Sequence, residues 1–312
     1  MNKHSRKDIQ KAWQDFQSGK PVGTNVRKII LDSWTRSKHY GVNAFYLNKK
    51  LHSLENVRKR QENSRRLLDA AHDYLENIYT IILNKQGVVV LSDPEGVIIF
   101  VLGDEKTLRE TTALDLGSDC REEIIGTNGV GTCLALKQPI QIWAEEHYCL
   151  DNHCWYCSGT PIFDPEGKIL GCLNVTGTSE SVHAHTLGMV IGVGNAIERQ
   201  IRIDQITAEN QKVIRLQGIM LDLISDGVLI VDPSGNVTDI NNKALQLFGI
   251  AKNKVVNQPL TKFAPSGIDI NEILTNRRMI NNIEIDFTLP GKDFCVAFPQ
   301  LLLRTNKACR KA

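Results

Sequence analysis

One four-residue turn occurs three times in this chain, each time between two runs of strand-forming residues. Asp93-Pro94-Glu95-Gly96 separates Val88-Val89-Val90-Leu91 from Val97-Ile98-Ile99-Phe100-Val101. Asp164-Pro165-Glu166-Gly167 separates Tyr156–Phe163 from Lys168–Thr176, and Asp232-Pro233-Ser234-Gly235 separates Gly227–Val231 from Val237–Ile240. Proline presets the first dihedral of a tight turn and glycine tolerates the backbone that closes it. Antiparallel hairpins are therefore expected at all three places. Ile140–Trp143 reads as a further strand, and Ile283–Leu289 with Phe294–Phe298 as a later pair.

Helical patterns surround these strands. Residues 7–17 and 24–40 read as short helices split by Gly19, Pro21 and Gly23, with Gly41 ending the second. A stronger helix is expected from about Asn56 to Leu83, because Leu68, Ala71, Leu75, Ile78 and Ile82 recur at spacings of three and four. Shorter helices are expected near 105–114, 127–137 and Asn241–Phe248. A long helix without proline runs from about His185 to Ile224. Within it Ile206, Val213 and Met220 are seven apart, as are Leu216 and Leu223, which is the heptad seam of a parallel helical dimer. The alternative is a helix packed on its own domain, since Ile197 and Ile201 continue the pattern in a shifted register. The fold class is α+β, an antiparallel sheet with flanking helices joined by a long helix to a second, smaller unit.

A chain of 312 residues is too long for one compact core. The formal net charge of +2 advertises no affinity for nucleic acid or membrane. The basic run Arg58, Lys59, Arg60, Arg65 and Arg66 reads as a solvated helix face. No apolar run approaches membrane-spanning length and the first residues lack a signal-peptide core, so a cytoplasmic location is expected. In that compartment the eight cysteines point to free thiols, metal ligands or redox sensing before structural disulfides.

Several blocks between Val26 and Gly177 stand in a recognisable order. They are Ile30-Leu31-Asp32-Ser33-Trp34-Thr35-Arg36-Ser37 with Gly41-Val42; Ile124-Ile125-Gly126-Thr127-Asn128-Gly129-Val130-Gly131-Thr132; Glu146-His147-Tyr148; and His153-Cys154-Trp155-Tyr156-Cys157-Ser158-Gly159-Thr160-Pro161-Ile162. This stretch resembles the sensory region of sigma-54-dependent or related bacterial transcription regulators, similar to the acetoin-catabolism and glycerol-metabolism activators. Residues 217–300 resemble a PAS domain, through Asp226-Gly227-Val228, Asn241-Asn242-Lys243-Ala244 and Leu247-Phe248-Gly249.

The resemblance implies a GAF domain that senses a small molecule, a helix that carries the signal, and a PAS domain. The expected division is a helical segment at 1–56, the GAF domain at 57–184, a signalling helix at 185–216 and a PAS domain at 217–312. One more strand would normally close that last sheet, so the chain reads as a fragment. An ATPase domain and a DNA-binding helix-turn-helix usually follow in such proteins. No Gly-x-x-x-x-Gly-Lys-Ser/Thr loop occurs here, and the glycines of 126–131 read as close backbone packing before a helix. DNA and RNA polymerase would then be reached only through domains this chain lacks, with no direct DNA contact of its own.

The most informative local feature is the sequence His147-Tyr148-Cys149, His153-Cys154 and Cys157. Cys149, His153, Cys154 and Cys157 are soft or borderline ligands that suit zinc or iron. The cysteine spacing also matches plant-type iron–sulfur loops, with Cys133 or Cys172 as the fourth ligand. Against this, His153, Trp155 and Cys157 match the family pattern, where they line or support a pocket with no metal required. The candidates for ligand binding are Trp143, His147, His153, Trp155 and Cys157, and the alternative is a metal or redox sensor. No cofactor is required on the first reading. His183 and His185, at a helix start, read as exposed, and Asn241 and Asn242 as turn-and-cap residues.

Catalysis is not expected. Some isolated GAF domains reduce methionine sulfoxide with cysteine thiols, which needs an exposed, electropositive setting. Here Glu145, Glu146 and Asp151 surround the thiols instead. The expected partners are a small-molecule effector and a second copy of the chain.

Overall fold

The computed structural model describes residues 6–82, 87–111, 114–178, 183, 185–232, 234–263, 280–289 and 292–301. The chain divides into two compact units, Met1–Ile206 and Thr207–Ala312. No helix among the described residues is long and apolar enough to cross a membrane.

The first unit is built on a five-stranded antiparallel sheet. Its strands are β1 (Val88–Ser92), β2 (Ile98–Gly103), β3 (Ile140–Trp143), β4 (Tyr156–Phe163) and β5 (Ile169–Gly177), in the order β2-β1-β5-β4-β3. The hairpins fall where the Asp-Pro-x-Gly sequences place them, and the aspartate closes each one. Asp93 Oδ1 accepts from the backbone of Glu95 and Val97, both at 3.0 Å. Asp164 Oδ1 accepts from Glu166 and Lys168, and in the second unit Asp232 Oδ1 accepts from Ser234 and Asn236. Gly96, Gly167 and Gly235 then adopt φ of 85°, 83° and 83°, open to glycine at no steric cost.

Alternation along the strands sorts two cores. Val88, Val90 and Cys172 face one side, with Trp13, Ile30, Trp34 and Tyr148. Val89, Leu91, Leu173 and Val175 face the other, with Leu67, Ala71, Leu75, Val190, Ile197 and Ile201. The sheet is thus covered on both faces. Helices α1 (Arg6–Gln17) and α2 (Lys28–His39) cover the first face. Helices α3 (Leu54–Asn63) and α4 (Arg65–Asn77) come next in the chain, and α4 covers the second face.

The single helix expected from Asn56 to Leu83 is instead broken. Ser64 ends α3, and Ile78–Ile82 forms a π-type turn after α4. The buried stripe starts at Leu67, while Leu68 is half-buried; Leu83 lies outside the described residues. The basic run is solvent-facing as expected, apart from Arg60, half-buried and bonded to Asp93 and Glu95. Helix α5 (Glu105–Glu110) is shorter than expected. Of the helix expected near 127–137 only α7 (Gly131–Leu136) forms, and a short helix α6 (Glu122–Ile125) and a polar loop precede it.

Helix α8 (Thr186–Asp222) is 37 residues long. His183 and His185 before it are exposed. Its Val190, Gly194, Ile197 and Ile201 are buried in the first unit, whereas Ile206, Val213, Leu216 and Met220, with Leu223 just past its end, are all exposed. The second unit contains β6 (Leu229–Val231), β7 (Val237–Ile240), α9 (Asn242–Phe248) and a separate hairpin of β8 (Ile280–Leu289) and β9 (Lys292–Leu301). Asn241 caps α9 as expected, its Oδ1 accepting from Ala244 N at 2.9 Å.

The loop before α7 is organised by Asn128. Its Nδ2 donates to Cys120 O and Gly126 O at 2.7 and 2.8 Å, and its Oδ1 accepts from Val130 N and Gly131 N at 2.9 and 2.8 Å. Asn128→Ala leaves these buried groups without partners. The expected loss of stability is ~3–5 kcal/mol, read as a lower urea midpoint, with Asn128→Asp intermediate because it keeps the two acceptor bonds.

Candidate functional site

The N-terminal helices hold down the segment that carries the histidines and cysteines. Arg6 Nε donates to Glu145 Oε1 at 2.5 Å, and Arg27 grips the Glu146 carboxylate with Nε and Nη2 at 2.8 and 2.6 Å. Two indoles add backbone clamps. Trp13 Nε1 donates to Tyr148 O at 2.9 Å and Trp34 Nε1 to Glu146 O at 2.8 Å. At the far end of α2, Arg36 and Ser33 hold the buried Glu122 carboxylate.

Beneath this clamp lies a small cavity of about 30 Å³. Its polar wall is Asn128, His147, Asn152, Cys157, Asn174 and Thr176, and its apolar wall includes Leu114, Ile125, Val130 and Trp155. Carboxylates and cationic side chains are absent from the described lining, which suits an uncharged occupant. Gly129 lets its backbone pack directly against this wall. A Cβ there would stand 2.2 Å from Asn174 Oδ1 and 2.7 Å from Cys157 Cβ.

The hydrogen bonds in this wall run in one direction. His147 Nδ1 faces Ala144 O at 2.9 Å; a carbonyl only accepts, so Nδ1 carries the hydrogen. Burial lowers the His147 pKa to about 4, so the ring is neutral and Nε2 is a bare acceptor. Cys157 Sγ, 3.3 Å away, donates its proton to that nitrogen. Asn174 Nδ2 donates to Thr176 Oγ1 at 2.9 Å, and Thr176 Oγ1 lies 3.2 Å from Cys157 Sγ. Asn174 Oδ1, at the other end of this chain, is buried without a partner among the described residues. An unpaired buried acceptor is costly unless a ligand or water supplies the donor.

The structure brings His147, Trp155 and Cys157 of the five sequence candidates into this cavity. His153 stands behind it. Its Nε2 bonds His147 O at 3.1 Å and its ring meets Trp13 edge-on at 4.9 Å, so it braces the wall. Trp143 is half-buried against Tyr156 and does not line the cavity. Sequence reading missed Asn174, Thr176, Asn128 and Asn152 as wall residues. The available signal was Asn174 and Thr176 two apart in an otherwise apolar strand, hence on one face.

Cys149, His153, Cys154 and Cys157 do not converge: no group of three or more potential ligands occurs among the described residues. Cys149 is buried, Cys154 is exposed, and Cys157 is engaged by His147 and Thr176. The geometry therefore provides no shared centre for zinc, iron or an iron–sulfur cluster. Cys133 and Cys172 are buried free thiols. Burial pushes the Cys149 and Cys157 thiols up to about 11, and the Asp151 carboxylate adds to the shift at Cys149.

Residues 5–199 match the family model described as MimR, N-terminal domain, and residues 225–297 match a PAS domain model. The chain is 30% identical over 199 residues to the acetoin dehydrogenase operon transcriptional activator AcoR of Bacillus subtilis (strain 168), covering 62% of this chain and 33% of that protein. It is 28% identical over 235 residues to a signal-transduction and transcriptional-control protein of Clostridium beijerinckii, covering 75% and 37%. It is 28% identical over 200 residues to the propane 2-monooxygenase operon transcriptional activator MimR of Mycolicibacterium smegmatis (strain ATCC 700084 / mc(2)155), covering 62% and 33%. The chain thus spans 33–37% of the length of these relatives. Among solved structures, the fold is similar to the crystal structure of the E. coli DhaR(N)–DhaL complex, with TM-score 0.76 and 19% identity over 87% of this chain and 93% of that one. The α+β class with a GAF-like first unit, a long helix and a PAS domain stands, and the relatives named here are regulators of transcription rather than enzymes.

The buried imidazole gives a pH prediction. The unfolded chain protonates His147 near its ordinary value, 6.5, and the folded chain only near 4. Its contribution to stability is complete above about pH 6.5 and falls as the pH drops towards about 4, by on the order of 3 kcal/mol. Urea midpoints across that window should decline, and His147→Gln should flatten the decline. His153 is also lowered by burial and keeps its own share.

Proposed function

Because the chain belongs to the MimR N-terminal domain family, we propose that it is the signal-sensing region of a cytoplasmic bacterial transcription regulator. A small uncharged molecule binds in the cavity walled by β4, β5 and the Gly129 loop. The observation that carries this reading is Asn174 Oδ1, a buried acceptor lining the cavity with no partner among the described residues. The ligand supplies its donor, and Trp155 covers the apolar part.

Occupancy is read out through α8. Two copies of the chain pair along its exposed Ile206, Val213 and Met220 positions with Leu216 and Leu223, a knobs-into-holes seam. The ligand shifts the balance between two arrangements of the paired helices by its difference in affinity for them. DNA and RNA polymerase are engaged by other domains of the full-length regulator, and neither this region nor its helices bind membrane.

Two measurements test the proposal. Small alcohols, diols, ketones and amides are screened by thermal melting, where a ligand at a hundred times its Kd adds about 2.7 kcal/mol. Gly129→Ala and Trp155→Ala should abolish the stabilisation while circular dichroism shows a folded chain. A panel that leaves the wild-type melting point unmoved overturns the cavity reading. For assembly, light scattering should show a dimer that Val213→Asp with Leu216→Asp converts to monomer; a monomeric wild type at high concentration removes the seam.

A further inference from the structure

The cavity contains a thiol hydrogen-bonded to a bare imidazole nitrogen, a pairing that simple non-covalent binding leaves unused. Cys157 Sγ is 3.3 Å from His147 Nε2, and the two groups line the same space. Beside them stands Asn174 Oδ1, an acceptor without a partner among the described residues. Cys157 and Asn174 line the same cavity and both stand against the Gly129 backbone, so sulfur and acceptor border one small volume. A nucleophile with its base, next to an acceptor that lacks a donor, describes an electrophile that becomes a hydroxyl on addition.

We infer that Cys157 captures a small aldehyde in this cavity as a reversible thiohemiacetal, with His147 moving the proton. The inference rests on the cavity being the ligand site. Cys157 Sγ bonds to the carbonyl carbon and the C=O π bond breaks onto oxygen. The thiol proton passes through His147 Nε2 to that oxygen, so nothing is oxidised or reduced and no further reactant is needed. The new hydroxyl donates to Asn174 Oδ1. An α,β-unsaturated ketone adding through its β-carbon would keep a carbonyl, an acceptor, and leave Asn174 unpaired. Aldehydes also add thiols more readily than ketones do.

Burial keeps the resting thiol protonated, with its pKa up at about 11. No standing thiolate is exposed to oxidants, and the base is needed only when a carbonyl is present. The adduct reverts as aldehyde is depleted, which a sensor requires.

The test uses the full chain carrying Cys154→Ser, Cys295→Ser and Cys309→Ser, which removes the thiol exposed among the described residues and the two cysteines whose side chains lie outside them. It is titrated with propanal labelled with ¹³C at the carbonyl and, in parallel, with propan-1-ol. The expected result is a protein-bound signal from a tetrahedral carbon bonded to sulfur and oxygen, with propanal preferred over propan-1-ol by about tenfold or more. Adding Cys157→Ser should remove the signal and collapse that preference. If the Cys157→Ser variant folds poorly, His147→Gln takes its place and should weaken the signal, because it removes the nitrogen that takes the Cys157 proton. Propanal that binds with no carbon–sulfur signal, or with its preference intact in the Cys157→Ser variant, overturns the inference and leaves the cavity reading standing. Failure of both compounds to bind overturns both.

Discussion

Three arginine–glutamate pairs hold the site together: Arg6 with Glu145, Arg27 with Glu146 and Arg36 with Glu122. In each the carboxylate is buried and the arginine reaches it from α1, α2 or the segment just before α2. Removing one partner of a buried pair costs ~3–5 kcal/mol where both are dry. Solvent at the arginines lowers that figure here. The direction is unaffected, because a carboxylate left alone in the wall loses its charge-assisted bonds. The N-terminal helices are therefore part of the wall that encloses the cavity, and they fix where His147 and its carbonyl partner stand.

Much of this was legible in the sequence for a local reason. The Asp-Pro-x-Gly turns close through bonds within five residues, so β1–β2, β4–β5 and β6–β7 follow from nearby chemistry alone. Ile140–Trp143 and Tyr156–Phe163 matched to the residue. Features that depend on distant partners were not legible. The apolar spacing begins only after Ser64, so it did not support one helix running back to Asn56, and the break falls where the buried stripe starts. The docking of α1 onto Tyr148 and Glu145 joins positions well over a hundred residues apart. The dense histidine and cysteine spacing suggested ligation, yet burial and a 3₁₀ turn at Leu150–Asn152 send those side chains in different directions. Spacing in sequence becomes spacing in a metal site only where the backbone is shaped for it.

On the proposed reading, strand β5 relates sensing to output. It lies in the middle of the sheet, so it is covered on both faces. Asn174 and Thr176 project into the cavity, while Leu173 and Val175 belong to the cluster that holds Val190, Ile197 and Ile201 of α8. Ligand and signalling helix would thus act on opposite faces of one strand. Close-packed interiors pass small displacements on instead of absorbing them. On the proposed reading no long pathway is required, only that β5 sit differently with the cavity filled.

The energy available sets what such a switch can do. Moving a two-state equilibrium from 1:99 to 99:1 takes about 5.5 kcal/mol of differential affinity. The best very small ligands gain ~1.5 kcal/mol per non-hydrogen atom, so one of about four atoms has roughly 6 kcal/mol in total. Nearly all of that would have to distinguish the two states, although much of it comes from contacts both states share. A small molecule held only by hydrogen bonds and apolar contact would therefore shift the population in a graded way. A reversible bond to Cys157 changes this balance. It forms only where sulfur, imidazole and acceptor are aligned together, and that alignment is a property one state can have and the other lack.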